Sequence, residues 1–483
     1  MKMLIGGQWT ESSDKTWMVI RNPGTGEEID KVPKATLQDM EAVVAAAQIG
    51  KLEMKQLTAL QRYEILIRIA HAIEECVPEL GRLLAQENGK PIGQTRAEVA
   101  VTANIFRGFA EESKRLFGRV MPVDAVRGNE RHFAITIRQP IGVVAAIVPF
   151  NYPVELWGHK AASALAAGNA VISKPPSACP LTLLKIAELM QACGLPPHAH
   201  QMVTGRGEVV GDFLARSDGI QLVTVTGSTA VGVRIAQLAA ENLKKVHMEL
   251  GGNDALIILA DCDLEKAVDA VVLGRLARGN GQICCAVKRI FVEAQIYDRF
   301  AELLTEKALA LKVGDQLNED TDVGPLINEE AAKEVDDFVS GAVEAGAKLL
   351  AGGHRHNAFF EPTVLSEVHP DMKMFKEEVF GPVAPLVRFT SLEEAIRMAN
   401  DSPYGLQSAV FTSDINKAFD IAYKLEAGGV IINWSSALRV ETLPFGGIKM
   451  SGHGREGVHD TLDEMTDQKT IIVHNAFLPG GMS

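Results

Sequence analysis

Apolar and polar positions alternate between two periods along this chain. Residues 37–50 and 59–87 carry apolar positions every three or four residues, the spacing of amphipathic helices. Ile135-Thr136-Ile137 has the character of a strand. Residues 142–148 (GVVAAIV) are wholly apolar and stop at Pro149, which predicts a short strand buried on both faces. A helix is expected over 151–165, a strand over 169–173, and a stop at Pro175-Pro176. Helix 180–193, strand 201–204, a helix near 208–215 and strand 222–225 continue the alternation. Strand, helix, strand, helix, strand in this order predicts a parallel sheet with right-handed crossovers.

A second alternating series begins after Gly251-Gly252. It contains strand 255–259, helix 263–278, strand 289–292, helix 297–311 and further pairs through residue 433. No internal repeat interrupts it. The tail 470–474 (TIIVH) is β-rich with little apolar sequence around it, so it is expected to pair with the sheet edge of another subunit.

Composition narrows the picture. A chain of 483 residues exceeds one ordinary core, so two or three domains are expected. No apolar run nears the ~18 residues that span a bilayer, and the start lacks the apolar stretch of a signal peptide. A cytoplasmic location is the expectation. The net charge of −13, without any Lys/Arg run, argues against nucleic acid or an anionic membrane as partner. The six cysteines form no C-x-x-C pair and no zinc pattern, so no metal is expected, and they are too sparse for a disulfide framework.

The chemistry lies at the turns that follow strands. Gly281-Gln282-Ile283-Cys284-Cys285 puts a thiol on a glycine-bearing turn, where it is either an inert buried group or an accessible nucleophile. Met248-Glu249-Leu250-Gly251-Gly252 sets one carboxylate among apolar neighbours, which raises a carboxyl pKa toward the range of a general base. Pro149-Phe150-Asn151-Tyr152-Pro153 offers Asn151 either as a turn residue or as an oxyanion donor. Ser173-Lys174-Pro175-Pro176-Ser177, Gly205-Arg206-Gly207 and Thr226-Gly227-Ser228 also follow strands, and together they suggest a dinucleotide cradle.

Taken in order, these motifs resemble the aldehyde dehydrogenase superfamily nearly end to end. The likeness opens at LIGGQW and runs through PFNYP, SKPPS, TGSTAVG, MELGGN, GQIC, EEVFGP and PYGL to PFGGIKMSG and GRE. It implies an α/β protein with a Rossmann-like cofactor domain over 1–120 and 141–251. A catalytic α/β domain would cover 252–452, and a small β oligomerisation arm 121–140 and 453–483, joining dimers or tetramers. It implies oxidation of an aldehyde to its carboxylate through a thiohemiacetal and a thioester on Cys284. Asn151 and the backbone N–H of Cys284 would hold the oxyanion. Glu249 would activate the hydrolytic water, with Lys160 assisting proton traffic. Lys174 would contact the adenosine ribose, Ser228 the pyrophosphate, and Glu378 with Phe380 the nicotinamide end. Ser177, Gly207, Gly227 and Phe150 complete the expected cofactor site.

This sequence departs from the family pattern in three places. Glu249 and Cys284 stand one residue further apart than usual, read as an insertion in the turn Arg278-Gly279-Asn280; Cys285 is the alternative nucleophile. Ser177 stands where NAD-preferring members carry Glu, so NADP is expected to be accepted alongside NAD. His159 stands beside Lys160 where many members have Trp. His159, Arg107, Arg289, Arg439 and Phe445 resemble positions lining the aldehyde entrance in members acting on small anionic or hydroxylated aldehydes. The planar fork of Arg suits carboxylate and phosphate. Glu249 argues against a CoA-acylating relative. Asn151, Glu249 and Cys284 together argue against a non-enzymatic protein of the same fold.

Overall fold

The structure, a computed structural model, describes residues 1–476. Its first sheet has eight strands. Five of them run parallel, in the spatial order His200–Met202, Ala170–Lys174, Val143–Ile147, Leu222–Thr226 and Lys245–Glu249. Val143–Ile147 shows why an unbroken apolar run becomes a strand here. Val143, Ala145 and Ile147 enter one hydrophobic core, while Val144 and Ala146 enter a second core on the opposite face. Successive side chains point to opposite faces, so a strand covered on both sides has no polar position to spare.

The helices Leu37–Gln56 and Gly207–Arg216 supply apolar side chains to the first of those cores. Ala59–Glu75, Ile92–Ser113, Pro153–Ala167 and Leu181–Ala192 supply the second. The helix expected over 59–87 is two helices, Ala59–Glu75 and Val77–Asn88, with Pro78 in the first turn of the second. Proline has no N–H to give the preceding turn, so the break falls there. Antiparallel pieces of chain extend the sheet beyond the expected strands: Met3–Ile5 and Gln8–Thr10 at one edge, Gly452–His453 at the other.

The second sheet has seven strands, with Val287–Glu293 in the middle and Asp254–Ile258 beside it. Leu256 and Ile258 face one core, Ala255 and Ile257 the other. The helix expected over 263–278 is regular only from Leu264 to Val271; Val272–Ala277 forms a π turn. A π turn takes up extra chain within a helix and is frequent at functional sites.

Thr466–Val473, which contains most of the tail expected to meet another subunit, pairs along one side with Phe133–Pro140 of the same chain. Arg119–Met121 completes this three-stranded sheet, and Thr466–Val473 keeps one edge free. Not all of the expected arm segment 453–483 is strand. Val458–Glu464 is a helix whose Val458 and Leu462 are buried in the core that lies against the first sheet. Residues 477–483 of that segment lie outside the described residues.

Candidate active site

Strand order reverses between Val143–Ile147 and Leu222–Thr226, because the chain moves outward from the sheet centre in both directions. Loops at such a switch point part and leave a crevice at the carboxyl ends of the strands. A large crevice opens there, and all the residues expected at the cofactor line it: Phe150, Lys174, Ser177, Gly207, Gly227, Ser228, Glu378 and Phe380. Ser228 caps the helix Thr229–Ala240, accepting from the Val231 amide at 3.4 Å. The open N-terminal amides of that helix suit a pyrophosphate. Phe150 and Phe380 meet edge to face at 5.8 Å. Lys174 is buried, and burial pulls its pKa down to about 8. The Glu378 carboxylate lies on the backbone of Gly251, where a Cβ would come within 2.3 Å of its Oε2. Only glycine leaves that carboxylate in place. These features fit a dinucleotide.

A smaller cavity lies across the nucleophile turn. Asn151, Tyr152, Glu155, Arg278, Cys284, Arg439 and Phe445 are among its lining residues. Cys284 and Asn151 line both cavities, so the thiol stands where the two spaces meet. Asn151 precedes Pro153, at which the following helix begins, not at residue 151 as the pattern predicted. The residue before a proline is steered out of the helical region, so Tyr152 is non-helical and Asn151 stays in the loop. Its Nδ2 donates to the Gln282 carbonyl at 3.0 Å. An amide nitrogen has two protons, so this bond fixes the amide plane and leaves one proton for a ligand.

The nucleophile turn is built from left-handed residues, with Gly279, Asn280 and Gly281 all at positive φ. Gly281 packs on the backbone of Gly381, where a Cβ would come within 2.3 Å of its carbonyl carbon. The hydrogen bond to Cys285 and burial hold the Cys284 thiol above its ordinary pKa, opposed by Lys288. Buried Lys288 donates to the carbonyls of Ile283, at 2.9 Å, and Cys284, and pairs with Glu378 at 3.0 Å. Cys285 is buried, whereas Cys284 keeps partial exposure.

Glu249 ends its strand buried, and Oε1 has no hydrogen-bond partner among the described residues. Burial, then the charges of Glu456 and Cys284, push its pKa well up; Arg439 and Lys160 oppose them. Glu249 lines neither cavity and lies against Gly446, whose added Cβ would come within 2.8 Å of Oε1. Lys160 pairs with the buried Glu456 at 2.6 Å, and Arg439 pairs with the same carboxylate at 2.7 Å. Burial would raise the Glu456 pKa, but Lys160 and Arg439 outweigh it and hold it ionised.

Three residues expected at the substrate lie elsewhere. Arg107 sits half exposed on the helix Ile92–Ser113, pairs with Glu74 and lies outside both cavities; its neighbour Phe106 takes the buried face. Arg289 is buried in the strand Val287–Glu293, and donates to the carbonyls of Asn253, Met398 and Ala399, each at 2.9 Å. Those bonds occupy its fork. His159 is fully buried beside the Lys160–Glu456 cluster and lines no cavity. Arg439 and Phe445 do line the small cavity, with the guanidinium 4.5 Å from the ring centroid. Sequence reasoning missed Arg278, six positions before Cys284 in the segment read only as an insertion. It missed Lys288, and it quoted Glu456 in GRE without giving it a role.

A thiol at the junction of a dinucleotide crevice and a small, arginine-bearing cavity defines a cysteine-dependent oxidoreductase of α/β architecture. The aldehyde dehydrogenase family profile matches residues 9–471, and this chain belongs to that family. It is 40% identical to 3-sulfolactaldehyde dehydrogenase of Priestia aryabhattai over 98% of both chains. It is 41% identical to lactaldehyde dehydrogenase of Methanocaldococcus jannaschii over 98% of this chain and all of the other, 100%. Among solved structures, glyceraldehyde-3-phosphate dehydrogenase from Methanocaldococcus jannaschii complexed with NADP superposes with a TM-score of 0.91 at 41% identity, covering 95% of this chain and 99% of that one. An NAD+ complex of aldehyde dehydrogenase from Bacillus cereus gives 0.95 at 34% identity, covering 98% and 96%.

Proposed function

We propose that this enzyme oxidises a small aldehyde with an anionic or hydroxylated tail to its carboxylate, using NADP or NAD. The observation that carries this reading is the pair of guanidiniums, Arg278 and Arg439, lining the cavity that opens on Cys284. Glu155 is the only carboxyl in the lining, and burial raises its pKa toward the neutral form; Arg439 also pairs with Glu456 behind the cavity, so Arg278 is the lining cation without an ion pair among the described residues. Relatives named for sulfolactaldehyde, lactaldehyde and succinate semialdehyde support it.

The tail docks on Arg278 and Arg439 and turns the carbonyl carbon to Cys284. Thiolate attack makes a thiohemiacetal whose oxyanion accepts hydrogen bonds from the free Nδ2–H of Asn151 and the backbone N–H of Cys284. When bound, the dinucleotide supplies the hydride acceptor. Glu378, Phe150 and Phe380 hold its nicotinamide end, and the loops at Lys174, Ser177, Gly207, Gly227 and Ser228 hold the rest. The thioester left on Cys284 is hydrolysed by water that Glu249 deprotonates after turning from Gly446 toward the sulfur. Glu249 passes that proton to the departing Cys284 sulfur, while the Lys160–Glu456 pair sets the charge beside Glu249.

Steady-state kinetics with glyceraldehyde 3-phosphate, succinate semialdehyde, lactaldehyde and propanal test the assignment, each with and without CoA. Anionic aldehydes are expected to win in kcat/KM, with no gain from CoA. Arg278→Leu is expected to erase about 10–100-fold of that preference, the worth of a charge-assisted contact. Propanal preferred by the unaltered enzyme would overturn the proposal.

Self-association into dimers or tetramers belongs to the same reading. The free edge of Thr466–Val473 exposes Ile471, Ile472 and Val473, and Gly429–Ile432 ends the second sheet as a half-buried edge. Two such edges in two copies satisfy each other's backbone groups. Among the described residues no helix is long and apolar enough to cross a membrane. The free cysteines support a reducing compartment, the cytoplasm.

A further inference from the structure

The oxyanion donor and the nucleophile come from different sheets, and one short segment touches both. Residues 88–94 span the joint between the helices Val77–Asn88 and Ile92–Ser113, which 89–91 connect. On one side Asn88 Nδ2 donates to the Phe150 carbonyl at 2.5 Å, and Lys90 Nζ donates to the Asn151 carbonyl at 2.6 Å. Lys90 also stands 3.8 Å from the Tyr152 ring centroid and pairs with Glu98. Glu98 Oε1 accepts from the amides of Val154, at 2.9 Å, and Glu155, at 3.3 Å. Carbonyls 150 and 151 and amides 154 and 155 are thus all held by this unit. On its other side the Gly89 carbonyl accepts from Asn280 Nδ2 at 3.0 Å, and Gln94 Oε1 accepts from the Gly279 amide at 2.7 Å.

Lys90 and Glu98 are buried, their side chains 1% and 0% exposed. A buried ion pair is weak evidence for stability, because desolvation offsets the attraction and an apolar pair of like volume often serves as well. Placement is the better account of this one. We propose that Lys90 and Glu98, with Asn88 and Gln94, are positioning residues that set the distance between the Asn151 amide and the Cys284 sulfur. This rests on the roles given to Asn151 and Cys284 above.

Rapid mixing of the full-length enzyme with cofactor and aldehyde reads the first turnover as a burst of reduced cofactor. Asn151→Ala is measured first and is expected to slow the burst about 100-fold or more; no slowing would remove Asn151 from its role and leave the clamp without a target. Lys90→Met is then expected to slow the burst about 10–100-fold, with cofactor Kd by fluorescence titration unchanged. In the Asn151→Ala background it should add less than about 2-fold, because the amide it positions is gone. Should Lys90→Met fail to fold, Lys90→Met/Glu98→Met removes the stranded charge and takes its place in the same cycle. Gln94→Ala, at a half-buried position, should slow the burst several-fold. Equal losses in both backgrounds, or a burst of normal rate in the folded double variant, would overturn the proposal.

Discussion

The cofactor crevice and the substrate cavity meet at one sulfur, yet they are built differently. The crevice is a product of topology: its residues follow successive parallel strands and are chiefly turn residues and loop backbone. The cavity is a product of assembly. Asn151, Arg278 and Arg439 reach it from loops far apart in sequence, and buried charges behind it fix their states. A crevice of the first kind tolerates change at single side chains. A cavity of the second kind depends on each charge, because every buried partner left alone carries its desolvation cost.

The sharpest break of this contrast is at the junction. Cys284→Ala should lower turnover about 10⁵-fold or more with cofactor binding by titration intact, while Cys285→Ala stays within about tenfold of the unaltered enzyme. The reverse pattern would move the nucleophile to the buried thiol.

Next is the base. Glu249→Gln should give one equivalent of reduced cofactor and then slow about 100–1000-fold. Burial and Glu456 raise the Glu249 pKa, so its ionised form gains population as pH rises above the usual carboxylate range. Deacylation should climb with pH through that raised value. Glu456→Gln removes an anion and should move the climb to lower pH; Arg439→Met removes a cation and should move it higher. A pH-independent deacylation step would contradict this.

Smaller effects belong to the crevice and the surface. Ser177→Glu should weaken NADP about tenfold and leave NAD nearly unchanged, because a carboxylate repels the 2′-phosphate. Arg107→Ala should change kcat/KM less than about twofold, as expected for an exposed ion pair.

The same contrast explains what could be read from the chain. Strand runs such as 142–148 announced the parallel sheet and the turns after them the loops at Lys174, Gly207, Gly227 and Ser228, because an unbroken apolar run and a glycine turn are local signals; Glu378 and Phe380 came only from the family resemblance. Arg107, Arg289 and His159 failed because an isolated cation or imidazole carries no local sign of where its side chain points. Arg289 found three backbone carbonyls, and Arg107 found Glu74. Arg278 was hidden by the π turn and the left-handed run around it, which no helical or strand period describes. The Lys160–Glu456–Arg439 cluster joins residues up to 296 positions apart, a distance that only the closed fold spans.

The most direct test quenches Glu249→Gln after one turnover and maps the adduct by fragmentation mass spectrometry. The account predicts one acyl group per subunit on Cys284, matching one reduced cofactor, in both the normal and the Cys285→Ala background. An acyl group on Cys285, or reduced cofactor accumulating without any acyl-enzyme, would contradict it.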